Sequence, residues 1–383
     1  MFKLFAFLFG FILFQSSCSN LKKVTVLPSA ENIRSLKFLG EYVIPYNLNY
    51  KNTTVGGLSG IDYDAKNDLY YLICDDRSER NPARFYKVKI FITAKGIDSL
   101  LFTDVVNLLQ PNNSVYPNSK QNPNNTPDPE GMRYNPLTEQ LVWSSEGERI
   151  VKEKDTILAN PSIITISKNG RFKNSFELPA NLTMYATENG PRQNGVLEGM
   201  TFADNYKTLY VNVEEPLYED GPRADLKDND AYIRIFKYTV KQQKNIAQYA
   251  YKLDPVAYPS NPTNAFKING VPDILSIGND LLMVIERSFS SGRLPCTIKI
   301  FVTNLKEATN IKDIQSLKGN NNFIAATKKL ILNMDDLGIY TDNIEGVTFG
   351  PILPNGHKTL LFVADNNFAA QEKAQILLFE VIE

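Results

Sequence analysis

Carboxylates are the side chains in this sequence best suited to chemistry, and they recur at related places. Three glutamates stand directly before a glycine that opens a short apolar run: Glu130 before Gly131, Glu198 before Gly199 and Glu345 before Gly346. A second set closes the apolar run that follows: Asp75 and Asp76, Glu146, Glu214 and Glu215, Glu286, and Asp365. Arg77, Arg149 and Arg287 lie within one to three residues of that second set. Carboxylates gathered closely cannot all stay ionised unless arginine, a hard cation such as Ca²⁺ or shared protons offset their charge. Guanidinium forks match phosphate oxygens, so a rim of mixed sign can hold a metal and a phosphate together. The expected roles follow. Glu130, Glu198, Glu345 and Glu286 would activate water, with Glu130, Glu198, Glu214, Glu345 and Asp365 holding Ca²⁺. Arg287, Arg77 and Arg149 would clamp an anion. The competing reading is a net of ion pairs that holds neighbouring segments together and binds nothing.

A repeat must bring these residues together. Five copies of one two-strand phrase begin at Gly60, Gly131, Gly199, Ile274 and Gly346. The glycines at 60, 131 and 199 are 71 and 68 positions apart, and 199 to 346 is 147, two such periods. A period this long, with four strands in each copy, predicts radial repetition of small sheets: an all-β chain folded as a β-propeller. The predicted blades occupy 60–106, 131–178, 199–253, 274–333 and 346–382. Only three strands fall in the last, and the strand Leu36–Ile44, which has no blade of its own, is expected to complete it. Such a closure removes a sheet edge. Five four-stranded blades are expected, or six if a long connection hides another sheet. The organisation is then a signal segment at 1–18, a polar tether at 19–33 and one propeller domain at 34–383.

Loop length selects a face. Turns between first and second strands, such as 64–68, 135–139 and 278–280, are short. The connections 107–129, 146–161, 179–197, 214–231 and 254–272 are long and fall on the other side of the disk. Both carboxylate sets belong to the long-loop side, because first strands start there and second strands end there. Sites are commonly built on long loops over a rigid scaffold.

Bulk features narrow the function. With 41 basic and 42 acidic residues, the chain has no global attraction for nucleic acid. A single histidine, His357, in a short turn of the last blade, removes a Ser-His-Asp triad or a histidine-rich zinc site from consideration. Lys3, the apolar run 4–14 and small residues leading to Cys18 read as a bacterial lipoprotein signal, with Cys18 lipidated. The protein is then expected to be exported and lipid-anchored in the cell envelope, periplasmic or surface, touching membrane only through that anchor. A monomer is expected. Cys74 and Cys296 lie in different copies of the repeat and are expected to be buried and unpaired.

The strings Pro127-Asp128-Pro129-Glu130-Gly131-Met132, Leu197-Glu198-Gly199-Met200-Thr201-Phe202, Asn343-Ile344-Glu345-Gly346-Val347-Thr348-Phe349 and Glu286-Arg287-Ser288-Phe289 resemble those of the phytase-like family described as having esterase-like activity. The resemblance covers roughly residues 35–383. It implies a propeller that hydrolyses a small-molecule ester or phosphoester, with calcium at the carboxylate-lined mouth by analogy with calcium-dependent propeller phytases. The first copy departs from the pattern, with Ser59-Gly60 in place of Glu-Gly. Two other readings stand beside it. One is a non-catalytic surface propeller that binds a glycan, peptide or partner protein; the other is a lactonase-like enzyme with an apolar pocket above its calcium.

Overall fold

The computed structural model describes residues 27–93 and 95–383. The expected signal segment, its lipidation site Cys18 and the tether up to residue 26 lie outside the described residues. Five four-stranded blades form the ring. From the axis outward, the first blade holds Leu58–Asp64, Leu69–Cys74, Arg84–Thr93 and Gly96–Asn107. The second holds Pro129–Asn135, Gln140–Ser145, Ser162–Ser167 and Phe172–Ser175. The third runs Leu197–Ala203, Thr208–Val213, Tyr232–Thr239 and Lys244–Lys252. In the fourth, Lys267–Gly270 and Ile274–Gly278 together form the innermost strand, followed by Leu281–Ser290, Thr297–Asn304 and Thr327–Asn333. The fifth takes Asn343–Phe349, Thr359–Asp365 and Ala374–Ile382, and Ser35–Ile44 is its outer strand. The long connection 146–161 contains a small hairpin, Glu148–Ile150 with Ile157–Ala159, and no sixth blade.

Alternation along each strand sends apolar side chains into the seams between blades, where Tyr70, Trp143, Tyr210, Phe236 and Phe362 are fully buried. Each such side chain contributes roughly 1.5–3 kcal/mol by leaving water. Cys74 and Cys296 are buried and unpaired.

The Glu-Gly phrase sets the spacing at the axis. Pairing of the first and second strands slips between Leu58 and Gly60, Pro129 and Met132, Leu197 and Met200, and Ile344 and Gly346. Each slip is a bulge that bends the inner strand where blades converge. A Cβ at Gly131 would lie 2.5 Å from the Glu198 carbonyl oxygen, and one at Gly199 only 2.4 Å from Asp273 Cα. Glycine is required there because the next blade's backbone occupies that space. The fourth blade carries Asp273 at the equivalent place, and its inner strand breaks there.

Below this level the channel is closed by charge. Arg133 of the second blade sends Nη2 to both carboxylate oxygens of Asp273, at 2.8 and 2.7 Å, and Nη1 to the Ile61 carbonyl at 2.7 Å. Asp273 also accepts from Val347 N of the fifth blade at 2.8 Å. Asp62 of the first blade accepts from Tyr134 N and Thr348 Oγ1, at 2.7 and 3.0 Å. Thr201 Oγ1 of the third blade accepts from Ser276 N at 2.9 Å. These contacts tie all five blades together at the axis.

Candidate functional site

Above that closure the channel widens into a cleft of about 960 Å³ on the long-loop face. Its floor is made by the first two strands of each blade. Glu130 and Glu198 rise from the bulges, while Asp75, Glu146 and Glu214 follow the ends of second strands. Asp128, just before the inner strand that carries Glu130, also lines the cleft.

The two halves of this floor differ. Over the third, fourth and fifth blades, Arg287 neutralises the carboxylates: its Nη1 donates to Glu345 and Asn343 and its Nη2 to Glu214. Over the first three blades one oxygen each from Asp75, Asp128 and Glu130 lie within 4.8 Å of one another, as do oxygens of Glu130, Glu146 and Glu198. Glu130 belongs to both groups. It is 7% exposed, and its carboxylate has no hydrogen-bond partner among the described residues, although its carbonyl accepts from Ser59 Oγ at 3.0 Å. The Arg77 guanidinium approaches Asp128 at 3.6 Å and otherwise serves Glu148. Nε and Nη2 of Arg77 are buried without partners.

The cost of this crowding appears in the proton affinities. Burial first, then Glu198 and Asp75, hold the Glu130 carboxyl well above the carboxylate range. Burial, then Glu146 and Glu214, do the same for Glu198. Burial raises Asp75 too, with Asp128 as the next cause. Burial lifts Glu146 to about 8, and Asp128 to about 6 despite the opposing pull of Arg77. Asp75 hydrogen-bonds Asp128, and Glu198 hydrogen-bonds Glu146. Two proton-sharing pairs therefore flank a glutamate with no partner. The donors are all carboxylate oxygens, a set suited to a hard cation such as Ca²⁺ and unsuited to soft metals.

The other residues singled out in the sequence fall as follows. Glu345 lies in the cleft beside Arg287, and burial lifts its carboxyl to about 8 although Arg287 opposes this. Asp365 is buried behind it, pushed up to about 7 by burial, with Oδ2 unpaired. Glu286 is not in the cleft. The second strand of the fourth blade runs to Ser290 rather than ending at Glu286, so alternation sends Arg287 inward and Glu286 away from it. Glu286 accepts from Tyr251 Oη at 2.7 Å, Asp254 N at 2.9 Å, Asn269 Nδ2 at 2.7 Å and Lys328 Nζ, a structural setting. Asp76 likewise turns into its own blade and accepts from Arg84 Nη1 at 2.7 Å. Arg149 reaches the cleft wall, donating Nε to the Tyr185 carbonyl at 2.8 Å. Sequence reasoning missed Asp128, although it stands in the same Pro127–Met132 string as Glu130, and Arg192 and Tyr218, whose loops carry no repeat.

Fold and site together define a five-bladed β-propeller with an acidic axial mouth. The chain belongs to the phytase-like family described as esterase-like activity of phytase, whose sequence pattern matches residues 53–368. No curated protein matches the sequence. Solved structures with some likeness include an endo-arabinase from Bacteroides thetaiotaomicron, at 12% identity, covering 89% of this chain and 97% of that one, TM-score 0.42. An α-L-arabinofuranosidase from Lactobacillus brevis shows 9% identity, coverage of 88% and 92%, and TM-score 0.44. A gluconolactonase from Xanthomonas campestris shows 10% identity, coverage of 93% and 97%, and TM-score 0.36. Likenesses this distant carry no argument about activity.

Proposed function

We propose that this protein is a calcium-dependent hydrolase of esters or phosphoesters acting at the acidic mouth. The observation that carries the reading is Glu130: buried, unpartnered and shared by two groups of converging carboxylates. Asp75 and Asp128 on one side, and Glu146 and Glu198 on the other, are the residues that would hold Ca²⁺ with it. When bound, the ion would supply Lewis acidity toward the ester or phosphoryl oxygen and would make a nearby water more acidic. The protein's own part is to hold these carboxylates converged in a buried cleft floor and to exclude solvent from them. Arg287 is already committed to Glu214 and Glu345, which suits it to shaping the floor. Membership of the phytase-like family supports the hydrolase assignment. Residues 1–18 support export and lipid anchoring at Cys18.

Calorimetric titration with Ca²⁺, followed by turnover of naphthyl acetate and naphthyl phosphate with Ca²⁺ or a chelator, tests this. Saturable binding lost in Glu130→Gln, with turnover that the chelator removes, is the expected result. No heat of binding overturns the calcium assignment. Binding without turnover of either substrate overturns the hydrolase assignment and favours the non-catalytic binding propeller.

A further inference from the structure

The walls of the cleft are chemically unlike each other, and this bears on the substrate. Tyr218 stands between two arginines, with Arg149 5.0 Å and Arg192 4.3 Å from its ring centre. Arg149 gives Nε and Nη2 to the carbonyls of Tyr185, Ala186 and Thr187. Arg192 gives the same atoms to the carbonyls of Pro216 and Gly221, both at 2.9 Å. Neither has a carboxylate partner among the described residues, and both leave Nη1 unbonded. Two guanidiniums fixed by backbone carbonyls, braced by an aromatic ring and without a salt-bridge partner among the described residues make a ready anion wall. Ordinary ion pairing does not explain them, since among the described residues the cleft carboxylates that do pair with arginine pair with Arg77, Arg223 and Arg287 instead.

Across the floor the fourth blade offers the opposite surface. Phe266 is 53% and Leu294 73% exposed, and both line the cleft with Phe289. The rings of Phe266 and Phe289 are 6.2 Å apart. An apolar shelf beside charged groups leaves unfavourable surface in water until something apolar covers it.

We propose that the substrate is a phosphate monoester of an apolar alcohol, its phosphoryl group on the Arg149–Arg192 side and its aryl or alkyl group on the Phe266–Leu294 shelf. This rests on the hydrolase reading above. A polyhydroxylated or multiply phosphorylated alcohol would have its polar groups desolvated on the shelf without partners. In the reaction, water adds its oxygen to phosphorus as the bond from phosphorus to the alcohol oxygen breaks. The proton lost by the attacking water balances the one taken up by the departing alkoxide, leaving the alcohol and inorganic phosphate.

The test compares kcat/KM for 1-naphthyl phosphate and glycerol phosphate, which share the reacting group, with Ca²⁺ present. The wild type should prefer the naphthyl ester. Phe266→Ser/Leu294→Ser should lower the ratio of the two values about tenfold, as expected for losing contact with part of an aromatic group. Arg192→Met should lower phosphate-ester turnover more than naphthyl acetate turnover. A wild type without preference, or a double variant with an unaltered ratio, overturns the proposal. Calorimetric binding of benzylphosphonate, which cannot be hydrolysed at phosphorus–carbon by this chemistry, separates the two readings. If nothing is turned over but benzylphosphonate binds and the double variant weakens it about tenfold, the shelf stands and catalysis falls. If the wild type does not bind benzylphosphonate, the substrate assignment fails.

Discussion

The two levels of the axial channel use the same residue types in opposite ways. At the lower level Arg133 meets Asp273 with two short bonds, and Asp62 accepts from two neighbouring blades. At the mouth Glu130 meets only other acids. Both levels are buried, so desolvation is costly at both; the lower one offsets it with paired charges and hydrogen bonds, as Arg287 does on one half of the mouth, while Glu130 has no such offset. The requirements of the fold are met at the lower level, whereas the mouth keeps an imbalance that folding alone does not call for. Unbalanced carboxylates converging in a cleft are common at functional sites, which supports the proposed one.

The sharpest way to break this contrast is at the lower level. Arg133→Met leaves Asp273 buried without its cation and should cost about 3–5 kcal/mol of stability, read by denaturant unfolding. A loss below about 1 kcal/mol would show that the axial pair is not what joins the blades. The next effect in size is steric. Gly131→Ala places a methyl group against the Glu198 carbonyl and should cost about 1–3 kcal/mol while also disturbing the spacing of Glu130 and Glu198.

At the mouth the expected sign reverses. Glu130→Gln should raise the melting temperature of the chelated protein by a few degrees, because it removes a group that folding must either bury charged or protonate, and should abolish the Ca²⁺-induced rise. A fall in the chelated protein would instead mean that Glu130 has a stabilising partner. The pH dependence follows the same logic. Carboxyls raised by folding bind more protons in the native chain than in the unfolded one, so stability falls as pH rises across that interval. Between pH 5, near the unfolded values, and pH 8, which spans Asp128 at about 6, Asp365 at about 7 and Glu146 and Glu345 at about 8, the metal-free protein should lose stability steadily. Saturating Ca²⁺ should flatten that slope. The smallest effect is expected far from both levels: Lys66→Ala removes an exposed pair with Glu139 at 3.7 Å and should change stability by less than about 0.5 kcal/mol.

Much of the architecture was legible because it repeats. Glycines 60, 131, 199 and 346 recur since each blade meets the next through the same backbone contact, and a repeated steric demand leaves a repeated residue. The site was legible in part, for Glu130, Glu198, Glu345 and Glu214 all reach the cleft. Glu286 and Arg287 show where local reasoning stops. They are adjacent, and which one faces the axis depends on how far the strand continues, by a single step of alternation.

By itself the sequence determined the blade period, the glycine contacts at the axis and the acidic character of one face, because these follow from local alternation and from sterics repeated in every copy. The tertiary structure alone decided which carboxylates share a charge and which are released from one. Arg287 joins Glu214 to Glu345 across 73 and 58 positions, and Arg133 reaches Asp273 across 140. Pairing over such separations depends on how five blades close around an axis, and closure is a property of the ring that no single copy carries.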